Sequence, residues 1–282
     1  SITDTSYVDD QGDLNRVVIV PDDQAKIYVP DYKKIISNDI TDQLKRNPQI
    51  RMVNEYLDSN ELYLLDAPSA EEDPYNSCYM NDAEMNASLK DLFNITLPTR
   101  SVQYLGYSEE ELKSMEQYVM SGSINVEKIR SGEEVILMVP TYEFVQMDGY
   151  SQQNFLTPEE YTGVEGQFKE SHYAVGDVLH LIQLVPKNTG MNGYITEEQA
   201  RSNLVRKDAS VKIGAIIYQR IAWFDTLSVP PMAYTLIGAN ESFQSLNIAP
   251  THSRIRISLK QGVSYQDFEP EIQYLSLIHI SE

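Results

Sequence analysis

Arg100-Ser-Val-Gln-Tyr-Leu-Gly-Tyr107, followed at once by Ser108-Glu-Glu-Glu-Leu112 and later by Glu134-Val-Ile-Leu-Met-Val139, is the stretch that decides the fold class. The first run is rich in β-branched and aromatic residues and predicts a strand over 100–105. The last is short and apolar throughout, the pattern of a strand covered on both faces. Ser108 with Glu111 forms a capping box, in which each side chain satisfies a backbone amide left open at a helix start. Leu112, Met115 and Val119 extend it as an apolar stripe, and Gly122 supplies a left-handed stop. Strand–helix–strand is therefore expected over about 100–140.

Toward the N-terminus the same order recurs. Arg16–Val20 and Ala25–Val29 read as strands separated by the turn composition Pro21-Asp22-Asp23. A helix is expected over 37–46, with Ile36, Ile40 and Leu44 on one face, and Asn47-Pro48 ends it because proline disfavours helical geometry in the residue before it. Two strands follow, 50–57 and 61–65. Residues 1–15 are polar and acidic and read as a flexible lead-in. Residues 66–88, with Glu71, Glu72 and Asp73, read as an exposed acidic loop.

Beyond Pro140 the composition shifts. Residues 141–167 are rich in Gly, Gln and Tyr, with a capped turn at Thr157–Glu160. Strands at 177–185 and 211–221 flank a segment holding Gly190, Gly193 and one brief helix after Thr196. A β-rich subdomain over 141–224 is the resulting expectation. Residues 225–275 return to α/β: a strand at 232–237, a short helix after Asn240 carrying Phe243 and Leu246, then the alternation of Ile255, Ile257 and Leu259. A helix is expected after Gly262, with Pro270 in its first turn or kinking it. The divisions are 1–15, 16–140, 141–224 and 225–275. Residues 276–282 resemble a translated adapter and are set aside as a non-native tail.

Composition bounds the function. The chain has 282 residues, 41% hydrophobic and 23% charged, enough for a sizeable core. Its net charge of −20 disfavours both nucleic acid and anionic lipid surfaces, which need clustered Lys and Arg. The single cysteine, Cys78, allows no internal disulfide and no cysteine-cluster metal site. No apolar run reaches the ~20 residues of a membrane-spanning helix. The chain begins at Ser1 and reads as a piece of a longer protein.

Chemical signatures are sparse. Phosphate-cradling, dinucleotide, zincin and nucleophile-elbow patterns are not found. Asp9-Asp10-Gln-Gly-Asp13 begins like a calcium loop, but Val20 stands where the closing Glu belongs. His172 and His180 are spaced wrongly for a metal pair on a helix or strand. Cys78 lies among Glu71, Glu72, Asp73 and Asp82, which oppose thiolate formation. Glu109-Glu110-Glu111 and Glu159-Glu160 fit first helical turns, where the dipole favours negative charge. Tyrosine is in excess at 19, and Tyr75, Tyr79, Tyr150, Tyr161 and Tyr194 fall in predicted loops. No catalytic, cofactor or metal residue is nominated, and the chain reads as a non-enzyme.

The order of these segments resembles the extracytoplasmic core domain of MacB/FtsX-like ABC transporter permeases over about residues 16–275. The resemblance rests on Val102–Tyr107 leading into Ser108–Leu112, then Met120–Ile124, Gly132–Leu137, Tyr173–Leu181 with Val211–Ile217, and Ile237–Phe243 with Arg254–Leu259. It implies an α+β fold of porter-like β-α-β units, split in sequence, with an inserted β-rich sabre-like subdomain. It further implies a non-catalytic ectodomain on the extracellular side of the cell membrane, for export or extracellular signalling. Its partners would be an ABC ATPase subunit, reached through membrane parts, a second permease copy, and a peptide or envelope component. The alternative from the tyrosine excess is a free-standing surface module that binds sugar or peptide.

The ligand inventory yields a direct test. Saturating zinc or calcium, or a chelator, should move the melting temperature by no more than ~1 °C, since an ion held only by the folded state would stabilise it by mass action. A melting temperature that rises with either ion and collapses with chelator would contradict this.

Overall fold

The computed structural model describes residues 2–8, 14–21, 27–29, 32, 36, 38–68, 87–95, 99–139, 142–147, 150–155, 172–188, 191–218 and 234–280. Its organising element is β4 (Ile50–Leu65), one strand where the sequence reads as two. The expected break is a bulge: Ser59 stands opposite Tyr104, yet Leu62 stands opposite Val102, so β4 carries one residue more than its partner. A bulge bends a strand and sharpens its twist, and here it lets β4 change neighbours. Its first half pairs with β14 (His252–Leu259). Beyond the bulge, Tyr63 and Leu64 pair with Ile182 and Leu181 of β10 (Val178–Pro186).

On its other side β4 pairs with β5 (Thr99–Tyr107). Pairing then passes to β13 (Thr235–Ala239), β7 (Glu134–Val139), β12 (Leu204–Tyr218) and back to β10. The six strands close on themselves. β13 runs parallel to β5 and antiparallel to β7, so a strand from the last quarter of the chain is wedged between two from the first half. A short strand, β6 (Val119–Gly122), adds to the edge of β12.

Alternation along each strand sends one set of side chains to a shared interior. Leu62 and Leu64 of β4, Val102 and Tyr104 of β5, Leu236 of β13, Val135 and Leu137 of β7, Val211 and Ile213 of β12, and Leu179 and Leu181 of β10 form one buried cluster. The opposite faces are also covered. α3 (Glu109–Ser114) and α4 (Val126–Arg130) bury Leu112 and Ile129 against Ile136, Met138 and Ile237. α2 (Ala87–Leu92) and α5 (Glu197–Asn203) cover Ile182 and Leu184. Coverage on both sides explains why β7 and β13 read as unbroken apolar runs. The β4–β14 wing is closed by α1 (Asn38–Arg46) and α7 (Tyr265–Ile280), with Leu44, Ile50 and Phe268 in contact.

The sheet-rich core with peripheral helices is an α+β arrangement, as expected. Several finer expectations change. Within 141–224, β10 and β12 belong to the ring and contribute Leu179, Leu181, Val211 and Ile213 to its interior. Among the described residues of that segment, β8 (Tyr142–Met147) and β9 (Tyr150–Phe155) make a sheet of their own, while β11 (Gly193–Ile195) pairs with β3 (Ile27–Val29). The expected lead-in contains β1 (Ile2–Val8), paired antiparallel with β2 (Leu14–Pro21). Its Ile, Thr, Tyr and Val content suits a strand despite the acidic neighbours.

The helix after Ser108 is shorter than its stripe. It ends at Ser114, a 3₁₀ turn spans Glu116–Tyr118, and Val119 enters β6, where the open edge of β12 offers backbone partners. Gly122 does adopt a left-handed φ of +80°, but it terminates a strand. Helices α2 and α4 were not foreseen, although Asn125 caps α4 by accepting from the Lys128 amide at 3.2 Å. Pro270 lies inside α7, beyond its first turn, and the helix continues to Ile280, into the residues set aside as a tail.

One buried contact inside the ring is tight enough to test. Tyr104 is fully buried, its ring edge-on to Phe243 at 5.0 Å and its hydroxyl 2.7 Å from Ser242 Oγ. Ser242, in α6 (Ser242–Ser245), donates to the Ala239 carbonyl at 2.6 Å. This packing exists because residue 238 is glycine: a Cβ there would stand 2.0 Å from Tyr104 Oη and 2.6 Å from Ser242 Oγ. Gly238→Ala should cost ~1–3 kcal/mol, the usual penalty for overpacking a core. Tyr104→Phe in the same chain should recover part of that loss in urea denaturation.

Candidate functional site

The densest buried polar constellation lies where β14 and β10 part company on β4. Register places His252 opposite Asp58, and Thr251 precedes it. Asp58 and Thr251 are both buried, with exposures of 6% and 1%. The Thr251 amide donates to the Asp58 carbonyl at 2.8 Å, and Thr251 Oγ1 donates to the same carbonyl at 3.3 Å. His252 Nδ1 lies 3.2 Å from Asp58 Oδ1 and 3.1 Å from Thr251 Oγ1. A shallow depression beside it, lined by Tyr56, Asp58, Gly106, Tyr107 and Arg254 among others, encloses about 10 Å³, room for roughly one water.

Hydroxyl, imidazole and carboxylate in one cluster invite comparison with a nucleophile–base–orienter relay. The geometry is different. Such a relay needs the hydroxyl and the carboxylate on opposite ring nitrogens, whereas here both meet Nδ1. The hydroxyl is buried against a main-chain carbonyl and is not presented to solvent. The cluster fastens residue 251 to β4. It is a structural joint.

Burial pushes the Asp58 carboxyl above its ordinary range, and the opposing pull of His252 and Arg254 does not fully offset this. A second buried carboxylate behaves in the opposite sense. Glu134, at the start of β7, lies 3.0 Å from Lys212 Nζ and 3.1 Å from Lys128 Nζ. Burial raises it, but the two ammonium groups outweigh burial and hold it below the usual carboxylate range. Nearby, Tyr56 donates to Glu111, and burial together with that carboxylate pushes its phenol up to about 12. Glu111 also accepts from the Ser108 amide at 3.3 Å, so one side chain caps α3 and ties it to β4.

The residues singled out in the sequence do not converge. His172 lies exposed against the edge of Tyr173, and His180 meets Ser210 Oγ at 3.0 Å. Glu109, Glu110 and Glu111 occupy the first turn of α3, where Glu109 pairs with Lys113 at 2.6 Å. Tyr194 is 58% exposed on β11. The Asp9–Asp13 stretch, Cys78, Glu71–Asp73, Glu159, Glu160, Tyr75, Tyr79 and Tyr161 lie outside the described residues, and Tyr150 is described only as part of β9. Among the described residues no three His, Cys, Asp or Glu side chains gather as a metal site would require, and no helix is long and apolar enough to cross a membrane. Asp58, Gln183, Thr251 and His252 were not foreseen. Only Gln183 carried a signal, as a polar residue inside the apolar run Leu179–Val185.

No family model and no curated protein sequence matches the chain. Among solved structures the chain is similar to the periplasmic region of MacB from Actinobacillus actinomycetemcomitans, with 10% identity and a TM-score of 0.37 over 90% of this chain and 76% of that one. It is also similar to a domain assigned to a permease protein from Porphyromonas gingivalis, with 10% identity and a TM-score of 0.34 over 95% and 76%.

The two carboxylates should give opposite pH signatures. A carboxyl raised by folding binds its proton more tightly in the native state, so it costs stability as pH rises through its folded value. Asp58→Asn should therefore stabilise the protein at pH 7, with the gain fading in acid. Glu134 is lowered, and its contribution is present at neutral pH and lost as pH falls through its folded value. Glu134→Gln should cost ~1 kcal/mol at pH 7, limited by solvent screening of the half-exposed lysines, and little in acid. Thermal melts from pH 3 to 7 would separate the two.

Proposed function

We propose that the chain is a non-catalytic extracytoplasmic domain of an ABC transporter permease, which transmits ATP-driven conformational change across the membrane for export or extracellular signalling. One observation carries the reading: the α/β part is split in sequence, and its second piece completes the sheet begun by the first. β13 enters between β5 and β7, and β14 joins β4, in the segment order that the sequence resemblance implies. The buried polar clusters support the same reading, since each satisfies backbone or bridges elements.

In this assignment the split part acts as porter and the 141–224 segment as the sabre-like insertion, which lends β10 and β12 to the ring and keeps β8–β9 as a hairpin of its own. The partners are an ABC ATPase subunit, reached through membrane and cytoplasmic parts, and a second permease copy. A peptide or envelope component would meet the extracellular side. Rigid units of this kind move about small interfaces when driven from outside the domain.

The coding sequence on either side of the gene segment tests this. Apolar runs of ~20 residues are expected before residue 1 and shortly after residue 275. A signal peptide with a wall-anchoring motif in their place would favour the sugar- or peptide-binding module. Purified protein should hydrolyse neither ATP nor polysaccharide, and release of sugars from a glycan panel would overturn the non-catalytic assignment.

A further inference from the structure

The ring has a thin seam. β4 and β10 are in register only at Leu64–Leu181 and Tyr63–Ile182, whereas β10 pairs with β12 along its whole length. Past Ile182 the bulge has turned β4 toward β14, and β10 runs on without it. Residues 247–251 fill the gap.

This segment is fastened to both sides. On the β10 side, Gln183 Nε2 donates to the Ala249 carbonyl and Gln183 Oε1 accepts from the Ala249 amide, each at 2.8 Å. The same Nε2 donates to Ser59 Oγ at 3.1 Å, so the amide also reaches the bulge of β4. Gln183 is 1% exposed and Ser59 fully buried. On the β4 side, the Thr251 amide donates to the Asp58 carbonyl at 2.8 Å. Just before Ala249, Ile248 is buried in the ring interior with Phe243 and Leu246. Asn247, at a left-handed φ of +57°, turns the chain into the segment and accepts from Lys207 Nζ at 3.1 Å.

We propose that residues 247–251 form a strap that holds the ring shut, and that lifting it opens the β4–β10 seam as one unit while the rest of the sheet stays paired. The bond geometry concentrates the closure on the Gln183 amide, which makes both main-chain bonds to Ala249. Local openings of this kind have free energies below that of global unfolding and run through contiguous units. A buried amide clamp removed from one side leaves main-chain groups unsatisfied, which weakens the unit it served. The inference stands on the ring geometry and does not rest on the transporter reading.

Native-state hydrogen exchange on the purified chain tests it. The Ala249 and Thr251 amides and those amides of 62–65 and 180–184 that face the seam should exchange together, with one shared denaturant dependence and about tenfold or more faster than 135–138, 235–239 and the amides of the same strands bonded to β5 and β12. Gln183→Met should speed exchange of strap and seam by a further tenfold or so, leaving 135–138 unchanged. Seam segments that stay as protected as 135–138 while the strap exchanges would overturn the proposal. So would a Gln183→Met chain whose amides all change equally or not at all. Should that variant fail to fold, the wild-type profile alone decides, by whether strap and seam share one opening.

Discussion

One extra residue in β4 between Ser59 and Leu62 is the constraint on which the rest of the molecule depends. Without it a sixteen-residue strand would keep one neighbour on each side along its length. With it, β4 gives its first half to β14 and its second to β10, and a sheet that would stay open becomes a ring. Ser59, at the bulge, stands opposite Tyr104, whose phenol runs through the ring to Ser242 and is accommodated by Gly238. Strand curvature, core aromatic and helix placement are thus linked through four residues.

The polar interior follows one logic. Burying a polar group costs free energy unless a partner replaces water, and here the partners are chosen to join distant pieces of chain. Gln183 and Ala249, Asp58 and Thr251, and Asn240 with Glu55 and Leu57 each join elements far apart in sequence. Arg130 of α4 does the same at the surface, reaching Glu109 and Glu241. Side-chain chemistry that elsewhere would serve a substrate serves cohesion, in keeping with a domain whose proposed task is mechanical.

Sequence periodicity carried the local elements well where both faces of a strand or one face of a helix are apolar. The strands at 134–139 and 253–259, the capping box at Ser108, the brief helix after Thr196 and the short helix after Asn240 were all legible, because their signals lie within a few residues. Fusion of two predicted strands into β4 was not, since a bulge has no composition of its own. Nor was the membership of β10 and β12 in the ring: an apolar run announces that it is covered but not by what. The Asp58–Thr251–His252 joint depends on register between segments nearly two hundred residues apart in the chain, which no window on one sequence can see. The shorter α3 has the same origin, as the open edge of β12 outcompetes the helical stripe at Val119.

The position of β13 bears on how the chain reaches this state during synthesis. β5 and β7 do not pair with each other; each waits for a strand made more than ninety residues later. Until then a ribosome-bound chain holds two apolar strands with unpaired edges, the kind of template that recruits neighbouring chains. Pairings this distant also slow the search for the native topology, because loop closure must be met before contact is rewarded. The acidic character of the chain has a role at that stage: nascent copies that repel one another are kept apart until residue 239 is in place.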